Sequence, residues 1–238
     1  MELCYNKKHN KALRDGNLKG LLITTNCKEL AMTASNNTRN IVRGQTNAPL
    51  PFYGVGCNSR RKHKVTIRGK KTRAYVAWSH MLTRCYCTKT HKKQPTYIGC
   101  SVDKRFHDFQ DFADWFYGQK FNSTGYQLDK DLLVHGNKVY SPETCCLIPK
   151  ELNCLLLDSS ASRGEYPQGV TFKKRIGRYQ ARLWMNGKLQ SLGHFDCPNK
   201  AYQAYKTAKE KYVKEKALEW QGQIAPNVFE ALMNWTLD

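Results

Sequence analysis

Residues 178–185 alternate strictly in polarity, and that alternation constrains the fold more than any other feature of the chain. Tyr179, Ala181, Leu183 and Met185 fall on one side of an extended backbone, and Arg178, Gln180, Arg182 and Trp184 on the other, because strand side chains alternate faces. Asn186-Gly187 follows at once, the dipeptide that best tolerates the left-handed conformation at both positions of a hairpin turn. Residues 188–195 supply the returning strand, and residues 169–175 an earlier one that ends at a turn on Ile176-Gly177. Beyond Cys197-Pro198 a long helix is predicted, with Ala201, Ala204, Tyr205, Ala208 and Tyr212 on the face that covers the sheet. Lys200, Lys206, Lys209, Lys211 and Lys214 are expected on its other face. The pattern predicts a three-stranded antiparallel sheet packed on one helix over residues 166–220, with 221–238 left as a C-terminal tail.

The face turned away from that helix carries two arginines, a glutamine and a tryptophan. Arg pairs with guanine edges and Gln with adenine, while an apolar ring packs on a thymine methyl. The same face also reads as an ordinary charged exterior. The chain as a whole tips the comparison, because its 238 residues carry a formal charge of +20, and a field of that sign gathers polyanions. Double-stranded DNA is the expected partner, with Arg175, Arg178, Gln180, Arg182, Trp184 and Lys188 as its contacts. A membrane is not expected. No stretch reaches the roughly 18 apolar residues of a span, and residues 1–4 do not begin a secretory signal. A cytoplasmic location follows as an expectation.

Ten cysteines without a signal peptide argue against a disulfide framework. Cys85, Cys87, Cys100, Cys145 and Cys146 offer enough thiolates for zinc, but the two-to-four-residue knuckle spacing is missing. Buried, reduced thiols are the preferred reading.

Residues 1–50 are polar and weakly periodic and are taken as an N-terminal arm. Pro49-Leu50-Pro51 marks a break, and residues 52–56 read as a turn. The basic run Arg60-Arg61-Lys62-His63-Lys64, with Arg68, Lys70, Lys71 and Arg73, surrounds a predicted hairpin at Gly69. It suits either a phosphate contact or a solvated loop. Tyr75, Trp78, Met81, Leu82 and Cys85 share one helical face, and residues 89–95 read as a polar connector. Phe106, Phe109, Phe112, Ala113 and Phe116 predict a second helix, with Asp108, Asp111 and Asp114 on its solvated side. Residues 126–134 read as a strand, 135–138 as a turn and 139–148 as a second strand. Pro149 then opens a short helix containing Asn153. Residues 158–165, which include Ser159, Ser160 and Ser162, suit a tether.

Two resemblances follow from these strings. Gly169-Val170, Arg178-Tyr179-Gln180-Ala181, Asn186-Gly187-Lys188, Leu192-Gly193-His194-Phe195 and the Ala201/Ala204-Tyr205 helix resemble the Apetala/ethylene-response-factor type of DNA-binding domain. That likeness implies a sheet lying in the major groove. Residues 51–157 resemble the phage family of HNH-type homing endonucleases. The likeness is carried by residues 78–86, Pro95-Thr96-Tyr97, Leu128-Asp129-Lys130-Asp131, Gly136-Asn137-Lys138, Tyr140-Ser141-Pro142 and Asn153.

The second resemblance implies an α+β fold with a ββα-metal region, a single Mg²⁺ or Mn²⁺, and no small-molecule cofactor. It makes Asp129 the first metal ligand and Asn153 the second. In that family the residue after the first ligand is a His general base. Here Lys130 occupies the position, and Thr144 stands where a loop Asn is expected. A protonated Lys accepts no proton but can hold a phosphate. Asp131 on the same strand face is a second candidate carboxylate, His135 is the nearest imidazole, and His107 is the next. Asp129, Lys130, Asp131, His135 and Asn153 are therefore the candidate catalytic set. If the chain is phage-encoded, the expected compartment is the host cytoplasm. A DNA-binding regulator on a degenerate nuclease scaffold is the alternative, favoured by Lys130.

Overall fold

Phe52 and Gly56 bridge across a tight turn in the computed structural model, which describes residues 52–157 and 164–237. The expected arm over residues 1–50 and most of the tether at 158–165 lie outside the described residues. A hairpin of β1 (Thr66–Ile67) and β2 (Lys70–Lys71) comes next. Its tip, Arg68-Gly69, takes φ of 48° and 75°, as a two-residue turn between twisted strands requires. Helix α1 (Arg73–Tyr86) begins where Thr72 Oγ1 accepts from the Tyr75 amide, a side-chain cap for an otherwise orphan donor. The connector expected at 89–95 is instead a short helix, α2 (Thr88–Lys93), with no buried residue. It gave no sequence signal because its polar face is complete.

β3 (Ser101–Val102) precedes α3 (Phe109–Gly118), whose Asp108 cap accepts from the Gln110 amide. Phe106 therefore sits in the 3₁₀ turn ahead of the helix. The segment predicted as one strand over 126–134 is β4 (Tyr126–Asp129) followed by a bent loop. β5 (Val139–Tyr140), β6 (Cys146–Pro149) and α4 (Lys150–Leu156) complete this part. β4 and β6 pair antiparallel, Asp129 opposite Cys146, while β3 and β5 pair parallel. The last quarter contains β7 (Val170–Lys173), β8 (Arg178–Met185), β9 (Lys188–Phe195), α5 (Pro198–Glu219) and α6 (Pro226–Met233). The architecture is α+β, and its three-stranded antiparallel sheet runs β7-β8-β9.

Three apolar clusters hold the fold. α1 and α3 bury Trp78, Met81, Leu82, Phe106, Phe109, Phe112 and Phe116 together, so both aromatic stripes are core. The inner sheet face sets Ala181 and Leu183 against Ala201, Tyr205 and Tyr212 of α5. Gly169, at φ 76°, allows β7 to start directly against the Tyr205 ring, where a Cβ would overlap it. The third cluster joins Cys146, Ile148 and Leu152 of β6 and α4 to Val213 and Ala217 of α5 and Val228 and Leu232 of α6.

Helix α5 therefore serves two cores, which corrects the boundaries expected at 220 and 221. The supposed tail is a clasp: Ile224, Val228, Leu232 and Leu237 are buried, and the Leu237 amide donates to Glu210 Oε1 of α5 at 2.9 Å. Lys209, expected on the outer face, is buried with its ammonium 5.7 Å from the rings of both Tyr205 and Trp235. Its long stem lets a charged head reach aromatic faces while the methylenes pack.

Leu232→Ala tests the clasp. Loss of a fully buried leucine costs about 2–5 kcal/mol, read as a lower urea midpoint. A change within about 0.5 kcal/mol, the range of ordinary surface substitutions, would mean that residues 221–237 contribute nothing to the core.

Candidate nucleic-acid interface

Cross-strand pairing defines the outer sheet face. Lys173 lies opposite Arg178 and Thr171 opposite Gln180 on one side of β8. On the other side His194 faces Gln180, Ser191 faces Arg182 and Leu189 faces Trp184. Residues directly opposite share a face, so Thr171, Lys173, Leu189, Ser191 and His194 join the expected Arg178, Gln180, Arg182 and Trp184. Sequence reasoning missed these five, although the hairpin register at Asn186-Gly187 could have located Leu189 and Ser191, which lie on the turn side of the register shift. A register shift after Ala181 keeps the β9 residues in step, and Leu192 at the irregularity packs into the core.

The face is preorganised by its own hydrogen bonds. Arg182 Nη2 donates to Thr171 Oγ1 at 3.0 Å, and Gln180 Nε2 donates to Ser191 Oγ at 2.9 Å. Both side chains keep further polar groups for a partner. Trp184 is 61 % exposed and Leu189 49 %, an apolar end to an otherwise polar surface. Arg175 sits in the 3₁₀ turn after β7 and borders an open depression with Lys173, Gln180 and His194. Arg178 makes a loose, exposed pair with Asp196 at 3.5 Å, worth little in water. Lys188 differs from the rest: it pairs with Met185, whose side chain belongs to the helix-side cluster. The turn beside it docks on α5 through the Asn186 amide and Tyr212 Oη at 3.0 Å. Lys188 is thus placed at the sheet edge on the helix side, not on the outer face.

The basic run at 60–64 divides into spent and unspent charge. Arg61 pairs with Asp108 and Asp111, and Lys62 and His63 both reach Asp114 Oδ1, at 2.8 and 2.7 Å. The pairing pulls Asp114 down to about 2. Buried Gln110 fixes the same loop, its Oε1 accepting from the amides of Lys62 and His63 at 2.8 and 2.7 Å. Asp111 and Asp114 of the acidic trio are solvated as expected, Asp108 is half-buried, and the three also pair with Arg61, Lys62 and His63.

In the middle of the chain, β4, β6 and α4 form two antiparallel strands and a helix. Asp129 ends β4 with its carboxylate buried; Oδ1 accepts from the amides of Asp131 and Leu132 at 3.0 and 2.8 Å. Burial and the nearby Asp131 carboxylate push Asp129 up. Because the strand stops at Asp129, Asp131 does not continue the same strand face. Its carboxylate instead accepts from Lys130 Nζ at 2.9 Å. Lys130 also donates to the Asn137 carbonyl at 2.8 Å, and its side chain is only 7 % exposed. It is a strut across the 130–137 loop and is not turned outward to hold a phosphate.

Asn137 steadies that loop. Its Nδ2 donates to the carbonyls of Lys130 and Val139 at 2.6 and 2.7 Å, and Oδ1 accepts from the Val139 amide at 3.1 Å. Thr144, at the position where an Asn was expected, caps the neighbouring turn through Ser141 and the Val139 carbonyl. The loop amide is thus Asn137, in the Gly136-Asn137-Lys138 string. His135 is exposed beside Gly136, whereas His107 Nε2 is taken up with the Val102 carbonyl at 3.0 Å.

Asn153, on α4, donates to Gln127 Oε1 of β4 at 2.9 Å. Among the described residues, Asp129 Oδ2 and Asn153 Oδ1 make no hydrogen bond. They are oxygen donors of the hard type that Mg²⁺ and Mn²⁺ take. No three His, Cys, Asp or Glu side chains gather as a metal cluster among the described residues. Cys85, Cys100, Cys145 and Cys146 are buried and free, and burial pushes Cys85 and Cys145 up to about 12. No helix among the described residues is long and apolar enough to cross a membrane.

Lys130→Gln separates a strut from a phosphate grip. A strut loses about 1–3 kcal/mol of stability when its charge-assisted bonds go, with DNA affinity unchanged. The opposite pattern, full stability with weakened binding, would restore Lys130 to the interface.

Comparison of the chain with protein-family models, curated proteins and solved structures finds no match, so the functional reading rests on this geometry.

Proposed function

We propose that the protein binds duplex DNA with the outer face of β7–β9, and that it acts as a divalent-metal-dependent endonuclease of the phage HNH homing type. The observation that carries the binding half is the outer face itself. Arg182, Gln180 and Trp184 stand side by side on β8, two of them oriented by cross-strand hydrogen bonds, with the opposite face sealed by α5. Size agrees as well. Three strands about 4.8 Å apart span about 10 Å, against a major groove about 12 Å wide.

The nuclease half rests on the β4–β6–α4 order, with Asp129 at the strand end and Asn153 on the helix. Asp129 and Asn153 are the residues that would hold Mg²⁺ or Mn²⁺, and the cation would neutralise charge on a phosphodiester during hydrolysis. Lys130 and Asn137 keep the intervening loop in shape. His135 is the exposed imidazole of that loop and the candidate proton acceptor.

A second reading has one specific observation in its favour. Lys130, at the position of the expected base, is turned inward and bonded, which suits a non-catalytic DNA-binding regulator on the same scaffold.

Arg182→Ala is expected to weaken duplex binding by about 1–3 kcal/mol, about fivefold or more in a gel-shift titration. Unchanged affinity would remove the sheet from the interface.

Supercoiled plasmid incubated with Mg²⁺ or Mn²⁺ separates the two readings. The nuclease nicks or cuts it, and Asp129→Asn, which keeps an acceptor for the turn amides, stops cleavage while leaving binding intact. DNA that is retarded but whole under both metals selects the regulator.

A further inference from the structure

Among the described residues the sheet face is not alone in being basic. The β1–β2 hairpin presents Arg68, Lys70 and Lys71 around a tip that turns at positive φ, with Ile67 58 % exposed beside them. None of these three cations pairs with a carboxylate among the described residues. That sets them apart from Arg61, Lys62 and His63 a few residues earlier, whose charge is committed to α3.

His80 and Arg84 follow on α1. Lys71 Nζ lies 5.7 Å from the Tyr75 ring. His80, exposed on the same helix, is pushed down by burial and then by the charges of Arg84 and Lys71. The Arg84 guanidinium is half-buried and stands 5.5 Å from the Tyr97 ring. Arg68, Lys70 and Lys71 thus form a short exposed basic track at the hairpin, with His80 and half-buried Arg84 further along the chain on α1.

We propose that this track is a second contact for the backbone of duplex DNA, separate from the sheet. The inference rests on the reading of the chain as a duplex-DNA binder. A track of cations without base-shaped groups suits phosphates, which position a duplex without reading its sequence. The sheet and the track then divide the work, recognition at β8 and placement at the hairpin.

The test uses the full chain and a duplex long enough to cover both surfaces. In the triple variant Arg68→Asn, Lys70→Gln and Lys71→Gln, Asn is chosen because it accepts the left-handed backbone at position 68. Each phosphate contact contributes about −0.9 to the slope of log affinity against log salt. Loss of three flattens that slope by about 2.7, and the corresponding affinity ratio at 0.1 M relative to 1 M salt is about 500-fold at most.

The expected result is a slope flattened by about 2–3, a shorter hydroxyl-radical footprint and an unchanged thermal midpoint. The charge-keeping variant Arg68→Lys, Lys70→Arg and Lys71→Arg should restore slope and footprint. If the triple variant keeps the wild-type slope and footprint while Arg182→Ala weakens binding, the hairpin contact is overturned and the sheet reading survives. If the wild-type chain does not retard duplex DNA at all, the DNA reading fails and this inference falls with it.

Discussion

Two of the three apolar clusters depend on one helix being buried on two sides. α5 spans 22 residues, about 33 Å at 1.5 Å per residue, and its two halves answer to different partners. Ala201, Tyr205 and Tyr212 close the sheet, while Val213 and Ala217 close the cluster with β6, α4 and α6. Neither a three-stranded sheet nor a two-stranded unit with a seven-residue helix buries enough apolar surface alone. Sharing α5 solves both problems. Lys216 shows how close the fit is: it is buried beneath Tyr212, with its ammonium paired to Glu151 of α4 at 3.4 Å and Glu219 at 2.7 Å.

The same economy governs charge. A formal +20 does not mean twenty cations available to a polyanion. Arg61 and Lys62 are clamped by α3, Arg105 by Asp103 and Glu143, and Lys130 by its loop. Lys209 and Lys216 are buried against aromatic rings. Arg68, Lys70 and Lys71 of the β1–β2 hairpin and Arg175 and Arg178 beside the sheet are among the cations that stay exposed, as are Lys89, Lys92 and Lys93 of α2. Composition signalled a polyanion partner; pairing decides which surfaces can meet it.

Much of this was legible in the chain. Strict alternation over 178–185 and the Asn186-Gly187 turn specified β8, β9 and the register next to the turn, because period-two patterning with a defined turn leaves one solution there, while the shift after Ala181 was not visible. The aromatic stripes of α1 and α3 were equally plain. What stayed hidden depended on partners distant in sequence. Lys209 reads as an outer-face lysine until Trp235 is brought over it. Residues 221–237 are too short to announce a helix that completes a core made elsewhere. The 126–134 run reads as one strand because nothing local reveals that Asp129 will cap its own turn. Lys130 looked like a lost base or a phosphate grip, and its strut role appears only once Asp131 and Asn137 are in place. The loop amide was visible as Gly136-Asn137-Lys138, but family spacing pointed to Thr144.

The central claim is that duplex DNA lies on the sheet face away from α5, and photo-crosslinking from opposite faces tests it most directly. A photoreactive residue replaces Trp184 on the outer face in one protein, and Lys211, exposed on α5 and paired only loosely with Glu215 at 3.8 Å, in another. The account predicts crosslinks to duplex DNA from position 184 and none above background from position 211. Crosslinks from 211 with none from 184 would put the DNA on the helix side and contradict it.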